Sequence, residues 1–235
     1  MSFSRILIDT FSRLIGTIKK RQKIQVSYLS GSIKLNLGCG LAVAEGWINV
    51  DGSLNALIAG MPKFFHAAAY RLTGANRYYS KNEYCRLLGD YHFIHHDLAH
   101  GVPFKDGVVD FIYSSHFLEH LFYKDAQHLL KESFRVLKVG GIIRISVPDL
   151  KYAVDLYYSD KKHEMLENYF FVEDDASNYA RHKYMYDFGL LSESLALAGF
   201  KHIRRCEYQE GLTPDLEKLD NRPEESLFVE ATRIN

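Results

Sequence analysis

The sequence lacks any charge imbalance that would steer it towards one kind of partner. Lys plus Arg number 29 and Asp plus Glu number 29, so the 235-residue chain has a formal net charge of zero. A general nucleic-acid binder needs a net basic surface, so no nucleic-acid partner is expected. Cysteine is scarce. Cys39, Cys85 and Cys206 are odd in number and far apart. Without a C-x-x-C pair, neither a zinc knuckle nor a disulfide framework is indicated, and a reducing cytoplasm is the simplest setting. No apolar run approaches the ~18 residues that span a bilayer. Arg5, Asp9 and Arg13 interrupt the apolar stretch that a signal peptide would require. Internal repeats and low-complexity segments are also lacking.

What is present is the composition of an ordinary globule with a full core, 47% hydrophobic and 25% charged. The length suits one domain with an insertion. Residues 1–30 read as a basic amphipathic segment. Phe3, Leu7, Phe11, Leu14 and Ile18 recur at helical steps over residues 3–18, and Lys19, Lys20, Arg21 and Lys23 follow. Such a helix suits peripheral contact with an anionic membrane at its inner face, or self-association. Packing on the body of the domain is the blander alternative.

A strand-then-helix rhythm follows. Strands are expected at residues 33–37, 47–51, 91–94, 108–113, 142–147, 202–208 and 226–232, with helices at 124–138 and 187–198. Gly140-Gly141 should end the first helix and Gly199 the second. Alternating elements imply a parallel α/β sheet with right-handed crossovers. Residues 52–90 are too long for a simple crossover and read as a partly helical insertion over one end of the sheet.

Ligands of open α/β sheets bind outside the carboxyl ends of the strands. The first strand ends in Asn36-Leu37-Gly38-Cys39-Gly40, where paired glycines allow a sharp turn and close approach to a ligand. The second ends in Asp51, a carboxylate able to accept from both hydroxyls of a ribose. The later exits carry His96-Asp97-Leu98, Ser114-Ser115-His116 and Val147-Pro148-Asp149. A dinucleotide site is disfavoured. Val43 stands where a third Gly or Ala belongs, and Asp51 follows Gly40 too closely for the usual spacing of ~20 residues. Little room is left for the helix whose N-terminus holds a pyrophosphate. A cofactor without phosphate does not need that helix.

The ordered motifs resemble those of class I S-adenosylmethionine-dependent methyltransferases, within a small bacterial branch. They are Gly38-Cys39-Gly40, Gly46–Asp51 (GWINVD), Ser114–Leu121 (SSHFLEHL), Arg135–Gly141 (RVLKVGG), Val147–Leu150, the helix ending in Ala-Gly-Phe, and Glu225-Ser226-Leu227. Val139 departs from the usual Pro. The resemblance covers residues 32–235 outside the insertion. It implies a Rossmann-like methyltransferase fold: a mostly parallel seven-stranded sheet with an antiparallel last strand, flanked by helices. It implies S-adenosyl-L-methionine as cofactor. Gly38, Cys39 and Gly40 would meet its methionine end, with Asn36 near the ammonium. Asp51 and Gly52 would meet the ribose, and Asp97 and Leu98 the adenine. Ser114 and Ser115 would lie beneath the sulfonium.

His116-Phe117-Leu118-Glu119-His120 also matches the H-x-x-E-H pattern of a zinc peptidase. A third ligand is required, and nothing in the sequence marks one. No metal is therefore expected, and a zinc hydrolase on His116, Glu119 and His120 is the remote alternative. Structural roles are expected instead, with Glu119 and His120 fixing the start of the next helix. The cluster His92, His95, His96 and His100 is not expected to form one site, since strand alternation separates its members. Methyl transfer to oxygen needs a proton acceptor. His182, in the loop Arg181-His182-Lys183-Tyr184, is the first candidate and His116 the second. Relatives with these motifs resemble enzymes of sugar-polymer assembly. The expected acceptor is therefore a saccharide or similar small molecule in surface-polysaccharide biosynthesis. Tyr70, Tyr78, Tyr79 and Tyr84 would stack on sugar rings or serve as core. The alternatives are another small-molecule or protein acceptor, and a cofactor-binding partner subunit without activity.

Overall fold

The computed structural model describes residues 15, 17, 18, 20, 23–25, 31–170 and 181–235. The helix expected over residues 3–18 lies almost wholly outside these residues. Seven strands form one sheet: β1 (Lys34–Leu37), β2 (Ile48–Asp51), β3 (Phe93–His95), β4 (Val109–Ser115), β5 (Leu137–Pro148), β6 (Lys201–Cys206) and β7 (Ser226–Thr232). Their order is β3-β2-β1-β4-β5-β7-β6. β7 runs antiparallel to β5 and to β6, and the remaining pairings are parallel. This is the expected Rossmann-like arrangement. The order reverses between β1 and β4, so a crevice is expected at the carboxyl ends of those two strands.

The central strands are near-continuous apolar runs because helices cover both faces. Leu35, Leu37, Val50, Ile112, Ile143, Ile145, Val147, Leu227 and Val229 are fully buried in one core. Helix α4 (Tyr123–Val136) turns Ala126, Leu129, Leu130 and Val136 onto it. Helix α7 (Phe188–Ala198) packs beside α4, with Phe134 and Phe200 edge to face, 5.2 Å between ring centres. The limits of α7 follow from its sequence. The Asp187 carboxylate accepts from the Leu190 amide, and Gly199 turns left-handed at the far end.

Helix α4 departs from expectation. It stops at Val136, and β5 begins at once with Leu137. The Arg233 guanidinium donates to the carbonyls of Phe134, Arg135 and Leu137 at 2.6–2.9 Å. A tertiary cation thus satisfies carbonyls that another turn of helix would have used. Gly140 and Gly141 lie inside β5. Gly140 has φ +83°, and a Cβ on Gly141 would come 2.8 Å from the Lys138 carbonyl. The glycine pair is therefore needed for an irregular strand, not a helix end.

Between β2 and β3 run α1 (Leu54–Ala59), α2 (Lys63–Leu72) and α3 (Lys81–Asp90). They enclose a second small core of Ile58, Ala69, Ala75, Tyr84 and Leu88. Tyr84 is buried, and its hydroxyl donates to the Asn55 side chain; the Tyr70 hydroxyl donates to the Tyr79 carbonyl. Tyr70 and Tyr84 are thus core rather than stacking platforms, while Tyr78 is exposed. No helix among the described residues is long and apolar enough to cross a membrane.

Candidate functional site

The carboxyl ends of β1 and β2 are tied together by one side chain. Asp51, almost fully buried, accepts from the Gly40 amide at 2.9 Å and from the Ser53 amide at 2.7 Å. It thereby fixes the glycine turn against the exit of β2. Gly38 and Gly40 both have positive φ, +69° and +54°. A Cβ on Gly40 would meet nothing within 4 Å, whereas one on Gly38 would land on the Phe117 ring. One face of the turn is therefore open to a ligand and the other is covered. Asn36 supports the turn from beneath, donating to the Ala42 carbonyl at 2.8 Å and the Asn49 side chain at 3.1 Å.

Gly52 lies against the backbone of residues 96–97, within 3.5 Å for an added Cβ, so the exits of β2 and β3 are in contact. The Asp97 side chain is about a third exposed, and its carboxylate accepts from the Ala99 amide. Leu98 turns into the main core instead of forming an open wall. Ser114, also buried, donates to the Leu37 carbonyl at 3.0 Å and joins the exits of β4 and β1. Asp51 and Asp97, with open space over Gly40, could hold a cofactor without phosphate. When bound, S-adenosylmethionine supplies an electrophilic methyl on its sulfonium. The Cys39 thiol is pushed well above its usual range by burial and by the nearby Asp51 carboxylate, so it is no nucleophile.

A cavity of about 230 Å³ opens at the switch point of the sheet, lined by Asn36, Cys39, Ser115, His116, Asn221 and Arg222 among others. Its outer wall is the segment after β6, held down by two anchors. The Asp215 carboxylate binds Lys34 at 2.6 Å and the Trp47 indole at 2.9 Å. The Tyr113 hydroxyl donates to the Leu219 carbonyl. The residues of this wall carry no recognisable motif, so sequence reasoning missed Asn221 and Arg222.

Beside the cavity lies a histidine cluster. His116 has φ +48°, and its Nε2 is 2.9 Å from the Ser226 hydroxyl. Its Nδ1 is 3.6 Å from the Glu119 carboxylate, and His120 Nε2 is 3.7 Å from the same oxygen. The His182 ring lies against His120, 5.1 Å between centres and tilted by 54°. Ser226 and the convergence of His182 were not foreseen; only the fold joins these distant positions. Neither Glu119 nor His120 caps α4, contrary to expectation. The capping position is Phe122, without a side-chain bond. Burial pushes the Glu119 carboxyl up, but His116 and His120 outweigh it and hold the group below its usual range. His120 is lowered by burial, against the pull of Glu119. The structure brings His116 to the cavity and leaves His182 outside its lining. Among the described residues His92, His95, His96 and His100 are not gathered into one metal-sized group, although His95 and His100 lie near enough to His96 to help lower it. His95 and His96 are both buried, His92 and His100 exposed, because β3 ends at His95 and alternation stops there.

A family model described as a methyltransferase domain matches residues 54–145. Among solved structures, an S-adenosylmethionine-dependent methyltransferase from Thermotoga maritima is 16% identical with a TM-score of 0.51; the alignment covers 97% of each chain. A chain from the complex of a methyltransferase activator with a methyltransferase from Haloferax volcanii is 16% identical with a TM-score of 0.51, covering 100% of this chain and 99% of its own. At such identities the likeness shows the fold. No curated protein matches the sequence. The matched methyltransferase domain over residues 54–145 and the crevice at the switch point of the sheet together point to S-adenosylmethionine as the cofactor to test there.

Proposed function

We propose that the protein is an S-adenosylmethionine-dependent methyltransferase that methylates an oxygen of a saccharide or similar small hydroxylated acceptor in surface-polysaccharide biosynthesis. The observation that carries the reading is the polar wall of the cavity beside the glycine turn, where Asn36, Ser115, His116, Asn221 and Arg222 stand together. Several neutral hydrogen-bonding groups and one guanidinium suit a ligand with many hydroxyls.

Transfer from a sulfonium is an in-line displacement with a neutral leaving group, so alignment contributes most of the rate. In this reading Asp51 and Asp97 hold the nucleoside end and the glycine turn receives the methionine end. The proton lost by the acceptor passes to His116, the histidine at the cavity. Glu119 beside Nδ1 favours a proton there, which leaves Nε2 as the basic atom within reach of Ser226. His182, first in line from sequence, becomes the second candidate. On the same reading, residues 3–18 would bring the enzyme to the inner membrane surface, where a lipid-linked glycan is assembled, or to a second copy.

The test is S-adenosylhomocysteine release with a panel of saccharides and of unrelated hydroxylated and amine acceptors. Turnover confined to saccharides, reduced at least about 100-fold in His116→Ala with cofactor affinity unchanged, supports the reading. Turnover only with amines or proteins overturns the acceptor class.

A further inference from the structure

We propose that Glu119, His120 and His182 form a binding site for a divalent transition-metal ion of the Zn²⁺ class. One donor atom from each of the three lies within 4.8 Å of the other two, a grouping of two imidazoles and one carboxylate. Spacing alone is weak grounds, because such groups also meet without an ion. Three further observations point the same way.

The first is the state of the carboxylate. Glu119 is 1% exposed, and neither of its oxygens has a hydrogen-bond partner. A buried carboxylate normally collects two or three donors, since leaving one bare costs several kcal/mol. Its neighbours are instead imidazole nitrogens at 3.6 and 3.7 Å. These separations are too long for hydrogen bonds. The second of them, between the two proposed ligands Glu119 and His120, is close to the ~3.4 Å between two donors that share a tetrahedral ion with bonds of ~2.0–2.1 Å. The remaining donor, from His182, lies within 4.8 Å of both.

The second is the tautomers. His182 Nδ1 lies 2.8 Å from the Tyr169 carbonyl oxygen, and His120 Nδ1 lies 3.3 Å from the Arg181 carbonyl oxygen. A carbonyl can only accept, so each Nδ1 must carry the proton. The lone pair of each neutral ring is then on Nε2, and for His120 that is the atom facing Glu119. An imidazole that donates one N–H to a backbone carbonyl and offers the other nitrogen is the usual state of a metal-bound histidine. Two such rings beside one bare carboxylate form a donor set that suits Zn²⁺ and its neighbours, not Mg²⁺ or Ca²⁺.

The third is access and rigidity. The His120 side chain is 21% exposed, so the histidine side of the cluster opens to solvent while the carboxylate side is closed. The loop bearing His182 is bonded to the turn bearing Glu119 and His120. The Lys183 and Tyr184 amides donate to the Glu119 carbonyl, at 2.7 and 3.2 Å, and the Lys183 ammonium binds the His120 carbonyl. The two ligand-bearing segments are thus held together by backbone contacts before any ion arrives. His116 borders the carboxylate on the cavity side and connects this site to the acceptor pocket.

The experiment is calorimetric titration of the full chain, stripped with chelator and dialysed, with Zn²⁺ and separately with Mg²⁺. Co²⁺ is added in parallel for its visible spectrum. Wild type is expected to bind one equivalent of Zn²⁺ at micromolar affinity or tighter, to show a Co²⁺ band, and to give no heat with Mg²⁺. Glu119→Gln and His182→Ala should each weaken Zn²⁺ at least about 10-fold, with thermal melting and S-adenosylhomocysteine affinity retained. His100→Ala, an exposed histidine elsewhere, should bind as wild type. No binding by folded wild type would overturn the site, and so would equal affinity in all three variants. Because S-adenosylhomocysteine affinity is measured on the same samples, failure here leaves the methyltransferase assignment untouched.

Discussion

Strand β7 touches two buried acidic clusters that are built in opposite ways. In its middle, Glu230 faces Arg144 across β5–β7, and Arg144 also holds Asp220 through Nε at 3.0 Å and a terminal nitrogen at 2.5 Å. Every carboxylate oxygen there is satisfied. Asp220 also accepts from the Gln209 amide, and Glu230 from Arg204 and the Leu212 and Thr213 amides. At the start of the same strand, Ser226 meets His116, beyond which Glu119 has only imidazoles around it. The first cluster is a closed network that pins residues 207–220 to the sheet. The second has a charge faced only by the His116 and His120 imidazoles, beyond hydrogen-bond distance. A carboxylate buried for structure is saturated by the chain, and one left bare is available to something the chain does not contain.

The largest effect should come from breaking the closed cluster. Arg144→Met leaves Asp220 buried without its cation and Glu230 with Arg204 alone, a loss of about 3–5 kcal/mol. A fall in melting temperature of roughly 10 °C or more follows for a chain of this size. Unchanged melting would mean that the two clusters do not differ as argued. At the cofactor crevice, Asp51→Ala removes acceptors from the Gly40 and Ser53 amides together with the proposed ribose partner. S-adenosylhomocysteine affinity by calorimetry should drop about 100-fold, the equivalent of two charge-assisted hydrogen bonds.

Acid offers a third test, because His96 is a buried base with no anion closely paired to it. Burial lowers its pKa from 6.5 to about 4. The unfolded chain therefore binds a proton between pH 6.5 and 4 that the folded chain refuses. Stability is full above about pH 6.5 and falls as the pH drops, by about 3 kcal/mol once pH 4 is reached. Denaturant titrations at pH 7 and pH 5 should show a loss of about 2 kcal/mol in wild type that His96→Phe lacks. The smallest effect sharpens the comparison most. In metal-free buffer Glu119→Gln should lower stability by less than about 1 kcal/mol, since the carboxylate makes no hydrogen bond and its removal loses only the attraction of His116 and His120. A loss as large as that of Arg144→Met would show that Glu119 is structural after all.

The middle of the sheet was legible because its strands read as short apolar runs closed by a ligand-edge residue, whereas β6 (KHIRRC) is largely exposed. Gly38, Gly40, Asp51 and Asp97 could be placed from their strand exits alone. The end of α4 could not, because Arg233 decides it from the far end of the chain. The roles of Leu98 and Tyr84 were equally hidden. Whether an apolar or aromatic side chain faces a ligand or a core depends on which neighbours surround it, and periodicity does not carry that information.

By itself the sequence determined the parallel α/β order, the position of the glycine turn and the acid that fixes it. These depend on alternation, on φ preference and on a single carboxylate, all of which are local. Tertiary structure alone decided that His182 meets Glu119 and His120, that His116 reaches the cavity through a strained backbone, and that Glu119 is buried without a donor. Those facts depend on which distant segments the sheet brings side by side, and on how much water the packing then removes from between them.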